Sequence, residues 1–98
     1  MAKNIEQFQT ALREALPSLA LRYRVASLGL FGSYVRRQNR LDSDLDVLVT
    51  FTEIPSLFRL IELENHLSDL LGVKIDLVMR DALKTEIGKN IAAEVIPV

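Results

Sequence analysis

With 98 residues, 49% of them hydrophobic and 26% charged, the chain has room for one domain and a globular composition, not a disordered one. A formal net charge of −1 argues against a broad electrostatic pull on nucleic acid, and the lack of cysteine excludes a disulfide framework, a thiolate zinc site and a cysteine nucleophile. The N-terminal stretch MAKNIEQFQTALREALP carries charge throughout and does not read as a signal peptide, and no apolar run approaches the ~20 residues needed to span a bilayer, so a cytoplasmic location and no membrane partner are expected. The mean hydropathy of +0.18 is high for so small a domain, as expected if some apolar surface serves a partner.

In chain order, Ile5, Phe8, Leu12 and Ala15 or Leu16 recur at helical spacing, which predicts a helix over residues 4–16 with Asn4 as N-cap and Pro17 as its stop. Residues 24–31, RVASLGLF, read as a strand. Gly32-Ser33 breaks that pattern, YVRRQ predicts a short helix, and NRLDS is a loop by composition. Residues 44–51, DLDVLVTF, are the clearest strand, with Leu45, Val47, Val49 and Phe51 on one face. Pro55-Ser56 opens a helix to about Leu71, with Gly72 as its stop. Its expected buried stripe is Leu57, Leu60, Ile61, Leu67 and Leu71, leaving Phe58, Leu63 and Leu70 off the stripe, some of them exposed. Residues 73–79, VKIDLVM, form a third strand, and the tail over roughly 82–95 aligns Ile87, Ile91 and Val95 as a helix. The expected class is α+β: a small mixed sheet with helices packed on the face carrying Leu45, Val47, Val49, Ile75 and Leu77, the opposite face staying partly open.

That opposite face is where chemistry is expected. Asp44 and Asp46 are two apart in a strand and leave the same side of the sheet; Asp76, between Ile75 and Leu77, also points away from the apolar set. If the two strands are neighbours, three carboxylates converge. Two like charges ~4 Å apart repel by about 4 kcal/mol at an effective dielectric of 20, and aspartate is depleted in strands, so such a cluster calls for a cation. Open carboxylates suit Mg²⁺, and two such ions can clamp the attacking and leaving oxygens of a displacement at phosphorus. A D-x-D pair alone is as readily a solvated strand face; the three together favour metal.

Gly32-Ser33 follows an apolar strand and opens the predicted helix, which presents backbone N–H groups and a hydroxyl to phosphate oxygens. Taken singly, a Gly-Ser pair is usually only a turn. Arg36, one turn further on, can brace the aspartate loop or contact phosphate, although a solvated arginine is the commoner fate. Lys74 and Arg80 share the parity of Asp76. His66 falls off the helix stripe and reads as surface, and Tyr23 and Tyr34 read as packing residues before base-stacking ones.

The segment FGSYVRRQNRLDSDLDVLV, residues 31–49, resembles the G-S-x-x-R…S-D-x-D-x-x-V signature of the DNA polymerase β-like nucleotidyltransferases, and specifically their minimal nucleotidyltransferase group. The resemblance extends over about residues 24–98, with the third metal carboxylate at Asp76 in VKIDLV and a similar tail in IGKNIAAEVIPV. It implies one domain over 1–98 in which Gly32, Ser33 and Arg36 hold the triphosphate of ATP. Asp44, Asp46 and Asp76 ligate two Mg²⁺ ions, and Asp76 also serves as base. Where the family often has glycine after the arginine, this chain has Arg37, and Thr85 and Glu86 occupy the region of a tail arginine that many relatives carry. The resemblance further implies an antitoxin that transfers AMP to a tyrosine of a HEPN-domain ribonuclease toxin.

Three functional classes follow. An ATP-dependent enzyme acting on a protein partner accounts for three retained carboxylates and Gly-Ser together. A binding module that silences its partner by occlusion has no need for that charge cluster. Transfer to RNA lacks a second domain to hold the RNA and faces a slightly negative chain. A homodimer is the other expected use of the surplus apolar surface.

Overall fold

The computed structural model describes residues 4–38, 40, 43–80 and 94–98. Helix α1 (Ile5–Tyr23) begins in a capping box: the Asn4 side chain accepts from the Gln7 N–H at 3.0 Å, and the Gln7 side chain accepts from the Asn4 N–H at 3.1 Å. Pro17 lies inside this helix and does not end it. A mid-helix proline removes one backbone hydrogen bond and costs about 3 kcal/mol. Beyond it, Leu19 and Tyr23 continue the stripe of Phe8 and Leu12 into the core at 1% and 4% exposure, a burial that offsets the lost bond. The helix stops at Arg24, which takes the left-handed conformation (φ 62°).

Strand β1 (Val25–Phe31) pairs antiparallel with β2 (Leu45–Phe51), which pairs parallel with β3 (Ile75–Met79). The parallel pair needs a crossover, supplied by α2 (Leu57–Leu71) between the Ser56 N-cap and the left-handed Gly72 (φ 71°). A fourth strand, β4 (Ile96–Pro97), pairs antiparallel with β1 and gives the order β3-β2-β1-β4. It was not expected; two residues carry no period to read, and proline is tolerated there because the strand is an edge. The tail helix expected over 82–95, with Ile87 and Ile91, falls almost wholly outside the described residues.

One sheet face meets α1 and α2 through Leu28, Leu30, Leu45, Val47, Val49, Ile75 and Leu77, all buried, so the expected α+β class and helix-covered face are both present. The bulge between Val25 and Ser27 lets Val25 and Leu28 both turn inward. Helix α2 is rotated from its expected setting. Leu63, Leu67 and Leu71 are buried with Leu60 packed beside them, whereas Leu57 and Ile61 are 70% and 50% exposed. Both faces of α2 are apolar, so periodicity could not choose between them. The opposite sheet face is less open than expected: Phe31 and Leu48 are buried on it, and the Val95 side chain lies so close over Gly29 that an added Cβ would meet its Cγ1 at 2.5 Å.

Candidate active site

The parallel register places Asp46 directly opposite Asp76, with Leu45 opposite Ile75 and Val47 opposite Leu77. The two aspartates therefore share the face turned away from the core and stand side by side. Asp44 precedes β2 and does not lie in it, a correction to the expected strand 44–51. It is still close enough to Asp46 for its charge to be felt there.

Strand β1 delivers Gly32 to the same place. Phe31 is the antiparallel partner of Asp46, and the chain turns immediately afterwards. Gly32 has φ +84°, a region that disfavours side chains, and a Cβ built on it collides with the Asp46 carboxylate. Only glycine lets the turn close on that carboxyl.

The segment after it is a single turn, not the short helix expected. The Arg36 N–H donates to Gly32 O at 3.1 Å, Arg37 N–H to Tyr34 O at 3.2 Å, and Gln38 N–H to Ser33 O at 2.8 Å. The last two form the paired closing pattern of a helix end, which needs a left-handed residue, and Arg37 supplies it with φ 59°. This is the position where the resembled family often has glycine. Tyr34 ties the turn down: its ring packs edge-on against Phe8, and its hydroxyl donates to the Ser43 carbonyl, just before Asp44, at 3.4 Å.

Burial raises the Asp46 carboxyl from the ordinary 3.8 to about 6. The Asp76 charge, a hydrogen bond with the Asp76 side chain and the Asp44 charge push the same way, and Arg36 opposes them. Two acids and one arginine thus act on a single carboxyl. The Arg36 guanidinium is itself engaged: Nη1 donates to Glu94 Oε1 at 2.7 Å and Nε to Gln38 Oε1 at 3.2 Å.

The donor set suits a hard divalent cation, being carboxylate oxygen throughout, partly desolvated and mutually repelling. Among the described residues no three metal-ligating side chains close into a ready cage. Mg²⁺ rarely uses one; it keeps waters and binds through one or two carboxylates plus substrate phosphate. A carboxylate pair beside a glycine turn fits that mode.

Residues 7–97 match the family model for the nucleotidyltransferase domain. The chain belongs to the nucleotidyltransferase family. It is 46% identical over 92 residues to the protein adenylyltransferase MntA of Thermococcus cleftensis, covering 94% of this chain and 93% of that protein. A solved structure described as a candidate minimal nucleotidyltransferase superposes with a TM-score of 0.80 at 36% identity, covering 98% of this chain and 97% of the other. A second, of a tri-AMPylated Shewanella oneidensis HEPN toxin in complex with its MNT antitoxin, matches at a TM-score of 0.66 over 92% of this chain and 70% of the other; at 20% identity it shows the shared fold alone.

In this nucleotidyltransferase, Asp46, Asp76 and Gly32 lie together, and Arg36 is carried on the turn that follows Gly32. Lys74 and Arg80 are exposed on the parity of Asp76, Tyr34 is buried as a packing residue, and His66 is half-buried against the Tyr23 ring. Glu94 was missed. Nothing near it in sequence announces a partner 58 residues away. Among the described helices none is long and apolar enough to cross a membrane.

Proposed function

We propose that this single-domain nucleotidyltransferase transfers AMP from ATP to a hydroxyl of a protein partner in the cytoplasm, and that the partner is a HEPN-domain toxin for which it is the antitoxin. The observation that carries the reading is the Asp46–Asp76 pair with Gly32 seated against the Asp46 carboxyl. The Thermococcus relative's name and the toxin complex of the Shewanella neighbour support the choice of acceptor. Asp44, Asp46 and Asp76 are the residues that would hold Mg²⁺, as two ions, which when bound supplies charge neutralisation on the phosphates.

The chain's own groups do the rest. The Gly32-Ser33 turn offers backbone N–H groups and a hydroxyl to the triphosphate, and Arg36 offers a positive charge at the edge of the carboxylates. The acceptor oxygen bonds to the α-phosphorus as the bond to pyrophosphate breaks, and Asp76, the exposed member of the pair, accepts the hydroxyl proton. Positioning supplies much of the rate.

Gripping a protein acceptor needs surface, and α2 offers it: Leu57, Phe58 and Ile61 are exposed beside a shallow depression of about 440 Å³ lined by Phe58, Arg59, Ile61, Glu62 and Asn65. This depression lies apart from the carboxylates, as a docking site distinct from the reacting centre would. Incubating the chain with labelled ATP, Mg²⁺ and the product of the adjacent gene, followed by mass spectrometry, should find AMP on that product. If the Asp46→Asn chain silences the toxin as well as the wild type does, the protein is an occluding binder and not an enzyme. Light scattering separates a toxin complex from a homodimer.

A further inference from the structure

We propose that Glu94 is a positioning residue for the nucleotide: it fixes the Arg36 guanidinium at the rim of the carboxylate pair so that its remaining N–H groups meet the phosphates of ATP. The inference rests on the ATP-dependent reading above and adds to it a residue from the far end of the chain.

An arginine on an exposed turn has several rotamers, and ordering it to bind phosphate costs entropy. Here the cost is met in the fold. Glu94 takes Nη1 at 2.7 Å and Gln38 takes Nε at 3.2 Å, which orients the plane of the guanidinium from two sides. A guanidinium has five N–H donors, so donors remain for an incoming oxygen. Its backbone is also fixed, through the Arg36 N–H to Gly32 O at 3.1 Å, so the same turn that cradles phosphate carries the arginine. Gly32 itself abuts the Asp46 carboxyl, so the turn that carries Arg36 starts at the reacting centre.

Glu94 is held as firmly as its task requires. It is the better buried member of the pair, with 23% of its side chain exposed against 50% for Arg36. Val95, next in sequence, packs over Gly29; Ile96 and Pro97 pair with Leu30 and Gly29; and the Val98 N–H donates to Leu28 O at 3.1 Å. The Gln9 side-chain amide donates to Pro97 O at 3.0 Å, tying the tail to α1 as well. The strand that anchors Glu94 is therefore the strand that runs into Gly32. A partly exposed ion pair adds little to stability, typically about 0–1 kcal/mol, so stability alone is a poor reason for this construction.

The test uses the full chain with Mg²⁺ and ATP, measuring KM, kcat and melting temperature for the wild type, Glu94→Ala, Glu94→Gln, Arg36→Ala and the double alanine variant. Glu94→Ala should raise KM for ATP about tenfold with kcat within about twofold. That is the low end for a hydrogen bond to a charged group, because the arginine is half solvated. Glu94→Gln keeps an acceptor and should recover most of that loss. In the Arg36→Ala background, Glu94→Ala should add nothing to KM.

Effects that add, a KM that is unchanged while the melting temperature falls, or a Glu94→Gln chain that binds ATP more tightly than the wild type would each overturn the proposal; the last would make Glu94 a source of repulsion. A wild-type chain that neither binds nor uses ATP overturns the enzymatic reading and this inference with it. An active wild type with indifferent Glu94 variants overturns this inference alone.

Discussion

Replacing Gly32 by alanine tests the link between the turn and the carboxylates most directly. Two costs arise at one atom. A left-handed backbone costs a residue with a Cβ about 1–2 kcal/mol. The new methyl would also overlap the Asp46 carboxylate, standing 2.8 Å from its Cγ and 3.1 Å from its Cβ. Relieving such a clash means turning Asp46 away from Asp76 or parting β1 from β2, and overpacking of this kind costs about 1–3 kcal/mol. The sum, about 2–5 kcal/mol, corresponds to a fall of at least about 10 °C in melting temperature for a domain of this size. Transfer should fall with it, because whichever way the clash is relieved, Asp46 leaves its place.

The Gly32→Ala/Asp46→Ala double variant isolates the cause. With Cγ and the carboxylate oxygens gone, only the 3.1 Å contact remains of the three nearest, so the double variant should recover about 1–2 kcal/mol relative to the sum of the single changes. Thermal melts of the four chains measure that cycle. Strict additivity, or a Gly32→Ala chain with wild-type melting and transfer, would falsify the steric account and detach the glycine turn from the site.

Asp46 sets a pH dependence whose sign is unusual for an acid. Its folded carboxyl is raised from 3.8 to about 6, so its contribution to stability is full below pH 3.8 and is lost as the pH rises through about 6. Asp46→Asn should thus stabilise the chain at pH 7–8 by about 1 kcal/mol, discounted for solvent screening, and change little near pH 4; urea midpoints at the two pH values check this. Mg²⁺ with ATP should stabilise the fold more than ATP alone, adding up to about 2.7 kcal/mol at a hundred times the dissociation constant, read as a higher melting temperature. That protection should fade below pH 6, where Asp46 is protonated and cannot ligate; equal midpoints with and without Mg²⁺ at pH 8 would contradict it. Arg37→Gly should stabilise the turn by about 0.5–1 kcal/mol, since glycine removes the left-handed cost at φ 59° but adds entropy to the unfolded chain. Phe58 is 85% exposed, so Phe58→Asp should leave the melting temperature nearly unchanged yet weaken the complex with the adjacent gene's product at least tenfold by calorimetry; unchanged affinity would move the docking face elsewhere.

The features legible in the sequence are those fixed within one element. Alternation in DLDVLVTF and VKIDLVM set Leu45, Val47, Val49, Ile75 and Leu77 on one face and Asp46 and Asp76 on the other, because a strand's period is two wherever it pairs. Asn4, Ser56 and Gly72 marked helix ends, because capping is local hydrogen bonding. The Gly-Ser turn and the D-x-D pair together carried the family resemblance.

What tertiary structure alone decided is every relation between elements. The parallel register that sets Asp46 opposite Asp76 depends on how the α2 crossover closes, and no residue within either strand specifies it. The helix past Pro17 persists because Leu19 and Tyr23 gain burial that local propensity does not count. Helix α2 had two apolar faces, and the sheet and α1 selected the one with Leu63. Arg36 found Glu94 only because β4 returns to β1. Local periodicity fixes which way a side chain points within its own element; which element it meets is settled by competition among packings of the whole chain, a free-energy difference that no short window of sequence contains.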